Sequence, residues 1–142
     1  MLDAKDKALI EQLSANSRQS TAELARKLKL SRSTVTDRIE RLEKRGIING
    51  YTIRFSEAYT ERQIKAHVLI SSDPKQAAQI VSQLKQLSNI TSLYAVNGVY
   101  DMIAIVSADS PHFLDQTLDE IGAVAGIEKT VSSIILSTKL DR

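Results

Sequence analysis

The chain has 142 residues, 42% of them apolar and 25% charged, with no Cys and no Trp, a make-up that fits one or two small folded domains rather than a disordered chain. The missing cysteine excludes a disulfide framework, a thiolate metal site and a thiol nucleophile. No apolar run approaches the roughly 18 residues of a membrane span, and charges recur from Met1 to Ala15 where a signal peptide would be apolar. No membrane partner is therefore expected, and the cytoplasm is the expected compartment.

The net charge of +2 is unevenly spread: residues 1–54 carry 12 Lys and Arg against 7 Asp and Glu, while residues 55–142 carry 7 against 10. A basic first part points to a polyanionic partner, and the faintly acidic remainder to a different task.

In chain order, Asp3 is placed to cap a helix from Ala4 whose stripe is Leu9, Ile10 and Leu13. Ser20 followed by Glu23 reads as a capping box opening a second helix that buries Leu24, Ala25 and Leu28 before a tight turn at Lys29 and Leu30. Ser31 caps a third helix; Val35, Ile39 and Leu42 fall within about 60° of one another at 100° per residue, and Gly46 stops it.

The rest of this third helix is polar and basic. Ser33, Thr34, Asp37, Arg41 and Lys44 point away from the stripe, and Arg32, Thr36, Arg38 and Arg45 flank it. Small polar residues at its start let a helix enter a major groove and reach base edges, while basic residues further along hold phosphates. The spacing to the second helix is that of a helix-turn-helix, and Arg18–Arg45 holds 9 basic residues against 4 acidic. Double-stranded DNA is the expected partner. Ile47 to Ile53 reads as a short strand, either a wing or the lead into a linker.

The segment from Arg54 to Arg62 loses periodicity and is expected to be that linker, dividing a helix-turn-helix domain (1–53) from a second domain (63–142). Ile64, Ala66, Val68 and Ile70 alternate against Lys65, His67 and Leu69 as a strand. Asp73 and Pro74 open a helix with Ala77, Ile80, Val81, Leu84 and Leu87 inward. Strands follow over about 90–96 and 102–106, joined by a turn at Asn97 and Gly98. Ser110 and Pro111 open a helix carrying Leu114, Leu118 and Ile121, and residues 130–136 supply a fourth strand. The order βαββαβ is ferredoxin-like, with both helices on one face of an antiparallel sheet. The class is therefore α+β: an N-terminal helix-turn-helix, winged or not, followed by this domain. Strands three and four are apolar on both sides, so a second copy is expected on the face the helices leave bare, making a homodimer. Two recognition helices would then address half-sites about 34 Å apart.

Catalysis is not expected. His67 and His112 are the only histidines, far apart in sequence and without metal-ligand spacing, and no Gly-rich phosphate loop is present. No catalytic residue, metal or cofactor is assigned.

The opening LDAKDKALIEQLSANSR, the run ELARKLKLSRSTVTDRIERLEKRGIINGY, and the later GVYD and IEKTVSSIILSTK together resemble the leucine-responsive regulatory protein/AsnC family of feast/famine regulators. The resemblance spans nearly the whole chain. It implies a bacterial or archaeal transcription regulator whose dimers often assemble into octamers of four dimers, and which commonly binds an amino acid between dimers near the loop joining strands two and three. Carried over by position, the effector residues are Gly98, Val99, Tyr100 and Asp101, with Glu128, Thr130 and Ser132 alternating along one side of strand four. A carboxylate there can pair an α-amino group, and backbone N–H groups and hydroxyls can hold an α-carboxylate. Two residues depart from the family pattern: Lys29 stands where many relatives have Gly, and Glu128 stands where a neutral or basic residue would favour a bound carboxylate. The alternative reading is an architectural DNA-compacting protein without an effector.

Overall fold

A computed structural model describes residues 1–142 and divides them into two compact units, Met1–Arg54 and Phe55–Arg142. In the first unit, helices α1 (Ala4–Ala15), α2 (Thr21–Leu28) and α3 (Arg32–Lys44) enclose a small core of Leu9, Leu24, Ala25, Leu28, Val35 and Leu42. Ile10, Leu13, Ile39 and Ile48 pack around it. Burying each large aliphatic side chain contributes about 1.5–3 kcal/mol, which is what a three-helix unit of this size has to live on.

The helix ends are where the sequence placed them, with differences of detail. Asp3 caps α1 in a reciprocal capping box with Asp6. Ser20 accepts from the Glu23 amide, but the expected reciprocal bond is missing, because the Glu23 carboxylate leans towards Lys27 at 3.8 Å instead. Lys29 takes the left-handed conformation at φ 55° in the turn between α2 and α3, the conformation that explains a glycine preference at this position. Ser31 caps α3, and Gly46 at φ 69° ends it.

The strand expected over Ile47 to Ile53 does not form, and no wing is built there. Those residues run as irregular chain with no ladder partner, and Tyr51 donates its hydroxyl to Glu43 Oε1 at 2.8 Å.

The second unit opens with a short helix, α4 (Glu57–Thr60), inside the segment read as linker; Ser56 caps it, and the Phe55 and Tyr59 rings stack with centroids 4.9 Å apart. Strand β1 (Ile64–Ser72) follows, then a single 3-10 turn over Pro74–Gln76 and helix α5 (Ala77–Leu84). The proline start thus makes a 3-10 turn before the α-helix, and Leu87 packs on the core from beyond the helix end. Strands β2 (Ile90–Ala95) and β3 (Met102–Ala108), helix α6 (Pro111–Gly122) and strand β4 (Ile127–Ile135) complete the unit.

The four strands pair antiparallel in the order β2-β3-β1-β4, the ferredoxin-like arrangement. Strand period decides the core. Ala66, Val68 and Ile70 of β1 and Met102, Ala104, Val106 and Ala108 of β3 face inward against Ile80 and Leu84 of α5 and Leu114 and Ile121 of α6. Their neighbours Leu69, Ile103 and Ile105 project from the opposite face, joined there by Tyr94, Val131 and Ile135 through the strand register. Helices α5 and α6 both pack on the inward face and leave the second uncovered, and Tyr94 stands 55% exposed on it.

Candidate nucleic-acid interface and effector site

The buried stripe of α3, Val35 and Leu42 at zero exposure, fixes which side of the helix faces out. Arg32, Ser33, Thr36, Asp37, Arg41, Lys44 and Arg45 are exposed, and Thr34 is half-buried. Some of the hydroxyls already have local partners. Ser31 Oγ lies 2.7 Å from Thr34 Oγ1 and 3.2 Å from Ser33 Oγ, and Thr36 donates to the Arg32 carbonyl at 3.1 Å. Each hydroxyl keeps acceptor capacity for a base edge beyond these bonds.

Arg38, which flanks the stripe, differs from the other basic residues of α3 in that its guanidinium turns towards α1. Nη1 donates to Asp3 Oδ1 and Oδ2 at 2.9 and 2.8 Å and to Asp6 Oδ1 at 2.8 Å. Arg41 Nη2 joins the same carboxylate, 3.2 Å from Asp6 Oδ1, while its side chain stays 52% exposed. Hydrogen bonds from Arg38 hold the Asp3 carboxyl below the usual carboxylate range. Burial pushes the Asp6 carboxyl up, but the Arg38 guanidinium and the Asp3 amide outweigh it and hold Asp6 low as well. Both carboxylates in turn push the Arg38 guanidinium further up.

Asp3 and Asp6 were not among the residues singled out for binding, although a signal existed. Asp6 falls on the same helical face as Leu9, Ile10 and Leu13 at 100° per residue, and a carboxylate on an apolar stripe requires a cationic partner.

In the second unit the loop from Val96 to Asp101 closes with the Val96 amide donating to the Asp101 carbonyl at 3.0 Å, and Gly98 sits at φ 117°, where a side chain would be strained. Asp101 is held twice by β1: its amide donates to the Ile70 carbonyl at 2.9 Å, and its Oδ2 accepts from the Ser72 amide at 2.8 Å. Thr130 pairs with Ile70 from the other side, and Ser132 with Val68. The structure thus brings Gly98–Asp101 and Thr130 to the same end of the sheet, on opposite sides of β1. Glu128 departs from expectation. The β1–β4 register jumps from Ser71↔Lys129 to Ser72↔Ile127, so a bulge leaves Glu128 unpaired and breaks its alternation with Thr130 and Ser132. Val99 is 88% exposed, and Gly98, Glu128 and Ser132 are exposed too; in one chain these positions present a surface rather than an enclosed cavity. Two open depressions, of about 280 and 470 Å³, lie elsewhere, beside Leu87 and Glu120.

Comparison with known proteins fits both units. Residues 2–49 match the family described as winged helix-turn-helix DNA-binding, and residues 65–142 match the Lrp/AsnC ligand binding domain. The chain belongs to the Lrp/AsnC family. Its relatives include the HTH-type transcriptional regulator LrpA of Mycobacterium tuberculosis, 33% identical over 138 residues that cover 96% of this chain and 91% of that one. Among solved structures, Escherichia coli AsnC superposes with a TM-score of 0.90 at 26% identity, covering 100% of this chain and 97% of that chain. The feast or famine regulatory protein of M. tuberculosis complexed with L-methionine superposes with a TM-score of 0.88 at 32% identity, covering 99% and 96%. This Lrp/AsnC protein is accordingly a helix-turn-helix transcription regulator with a DNA-binding unit and a small-molecule-binding unit, and it is not an enzyme.

Proposed function

We propose that this regulator binds DNA through α3, with Arg32, Ser33, Thr34, Thr36 and Asp37 at base edges and Arg41, Lys44 and Arg45 on phosphates. Arg38 serves the scaffold instead. The observation that carries this reading is the exposed hydroxyl-rich start and basic end of α3 on a helix whose opposite side is buried. Residues 54–62 join the two domains. The bare sheet face of Leu69, Ile103 and Ile105 takes a second copy, because a monomer seldom leaves such a patch in water; four such dimers form the octamer that the family pattern suggests.

The effector of this reading is an α-amino acid held near Gly98–Asp101, Thr130 and Ser132, in line with the methionine complex of the M. tuberculosis neighbour. The exposure of these positions favours a site completed by another copy. Selection of duplexes from a random pool, followed by footprinting, tests the DNA role. Discrete half-sites about 34 Å apart are expected of a regulator, whereas uniform, salt-sensitive coverage belongs to an architectural protein. A thermal-shift screen of the twenty amino acids tests the effector role, since a ligand stabilises the state that it binds.

A further inference from the structure

Asp6 is a carboxylate with 1% of its surface exposed, and it touches two arginines one turn apart on α3. The two arginines are held differently. Arg38 is 19% exposed in its side chain and divides Nη1 between Asp3 and Asp6, so it keeps Asp6 compensated by itself. Arg41 is 52% exposed and engages Asp6 only through Nη2, at 3.2 Å from Oδ1 and 3.5 Å from Oδ2. A guanidinium is a rigid planar fork with five donors. With Nη2 tied to a buried carboxylate, the remaining edge of Arg41 is left for an outside acceptor.

We propose that Asp6 is a positioning residue for DNA recognition that acts through Arg41: it grips one edge of the guanidinium so that the other meets a backbone phosphate in a single register. The inference rests on α3 being the groove-entering helix. Phosphate contacts set the register in which base-reading groups act. An arginine that swings freely meets phosphates in several registers, and one tethered to the scaffold favours the register in which Ser33 and Thr36 also reach their bases. Asp6 therefore adds to discrimination rather than to general affinity. On arbitrary DNA its negative charge is mildly unfavourable.

The test uses the full-length protein on two probes, the duplex that the wild type selects from a random-sequence pool and poly(dI-dC). The readout is the ratio of the two affinities, in which any unfolded fraction cancels. Asp6→Asn is expected to lower that ratio about tenfold without weakening binding to poly(dI-dC). In an Arg41→Gln background the same change should leave the ratio within about twofold, because the residue it acts through is gone. Arg41→Lys keeps the charge and loses the fork; it should lower the ratio while preserving the salt slope, and it decides the matter if Asp6→Asn does not fold. A ratio unmoved by Arg41→Lys, or an Asp6→Asn effect that persists undiminished without Arg41, overturns the proposal while leaving DNA binding intact. A wild type that selects no duplex removes the DNA reading itself, and this inference with it.

Discussion

Arg38 and Asp6 meet at 2.8 Å across the α1–α3 junction, and this ion pair commits the Arg38 guanidinium to α1. Asp6 is buried and Arg38 half-buried, its side chain 19% exposed, and Arg38 Nε is buried without a partner. Breaking such a pair on the basic side leaves the buried Asp6 with only the longer Arg41 contact at 3.2 Å, which is costly.

Replacing Arg38 with Met should therefore destabilise the first unit by about 1–3 kcal/mol, with Arg41 still engaging Asp6, read as a lower denaturant midpoint. The pH dependence has a definite sign. Asp3 and Asp6 titrate below their ordinary value in the folded chain. Their contribution is then full above the unfolded carboxylate value of about 3.9 and is lost as pH falls below it, through the folded values. In Arg38→Met, burial pushes Asp6 up with less opposition, so acid unfolding should begin at a higher pH than in the wild type. An unchanged acid limb by circular dichroism would contradict the ion-pair account.

Salt titrations of DNA binding should separate the basic residues of α3. Arg32→Ala and Lys44→Ala should each flatten the slope of log K against log salt by about 0.9 if each neutralises one phosphate. Arg38→Met should leave the slope of its folded fraction unchanged, because its charge is spent on Asp3 and Asp6. A flattened slope in Arg38→Met would return that residue to the phosphate-binding set.

Asp101 holds the amide of Ser72, itself only 5% exposed. Asp101→Ala should cost about 1–3 kcal/mol by orphaning that buried donor, and it should also abolish the stabilisation given by an amino-acid effector. Melting curves with and without the ligand distinguish the two effects. Undiminished affinity by calorimetry would leave Asp101 a purely structural role.

Leu69→Lys places a charge in the middle of the bare sheet face, between Ile103 and Val131 in register. A charged side chain that must be desolvated in an apolar interface is strongly disfavoured, so sedimentation should show the dimer dissociating while the fold is retained. A dimer that survives with wild-type affinity would mean that this face is not the interface.

The caps and periodicities were legible because they are local. Asp3, Ser20, Ser31 and Ser110 bond to amides three residues away, and the alternation of β1 separates Ala66, Val68 and Ile70 from their neighbours within one strand. Gly46 and the two prolines mark helix boundaries for equally short-range reasons. These features were enough to name the helix-turn-helix, the βαββαβ order and the side of α3 that faces out.

Tertiary structure alone decided where the charges went. Nothing between positions 6 and 38 in the sequence announces that Asp6 and Arg38 will meet, because the match depends on the angle at which α1 crosses α3, a property of packing rather than of either helix. For the same reason the Ile47–Ile53 segment formed no strand: a strand requires a partner's ladder, which its own residues cannot supply. The bulge at Glu128 and the grip of Asp101 on Ser72 likewise arise from the pairing of distant strands, which residue type does not encode and only the assembled sheet sets.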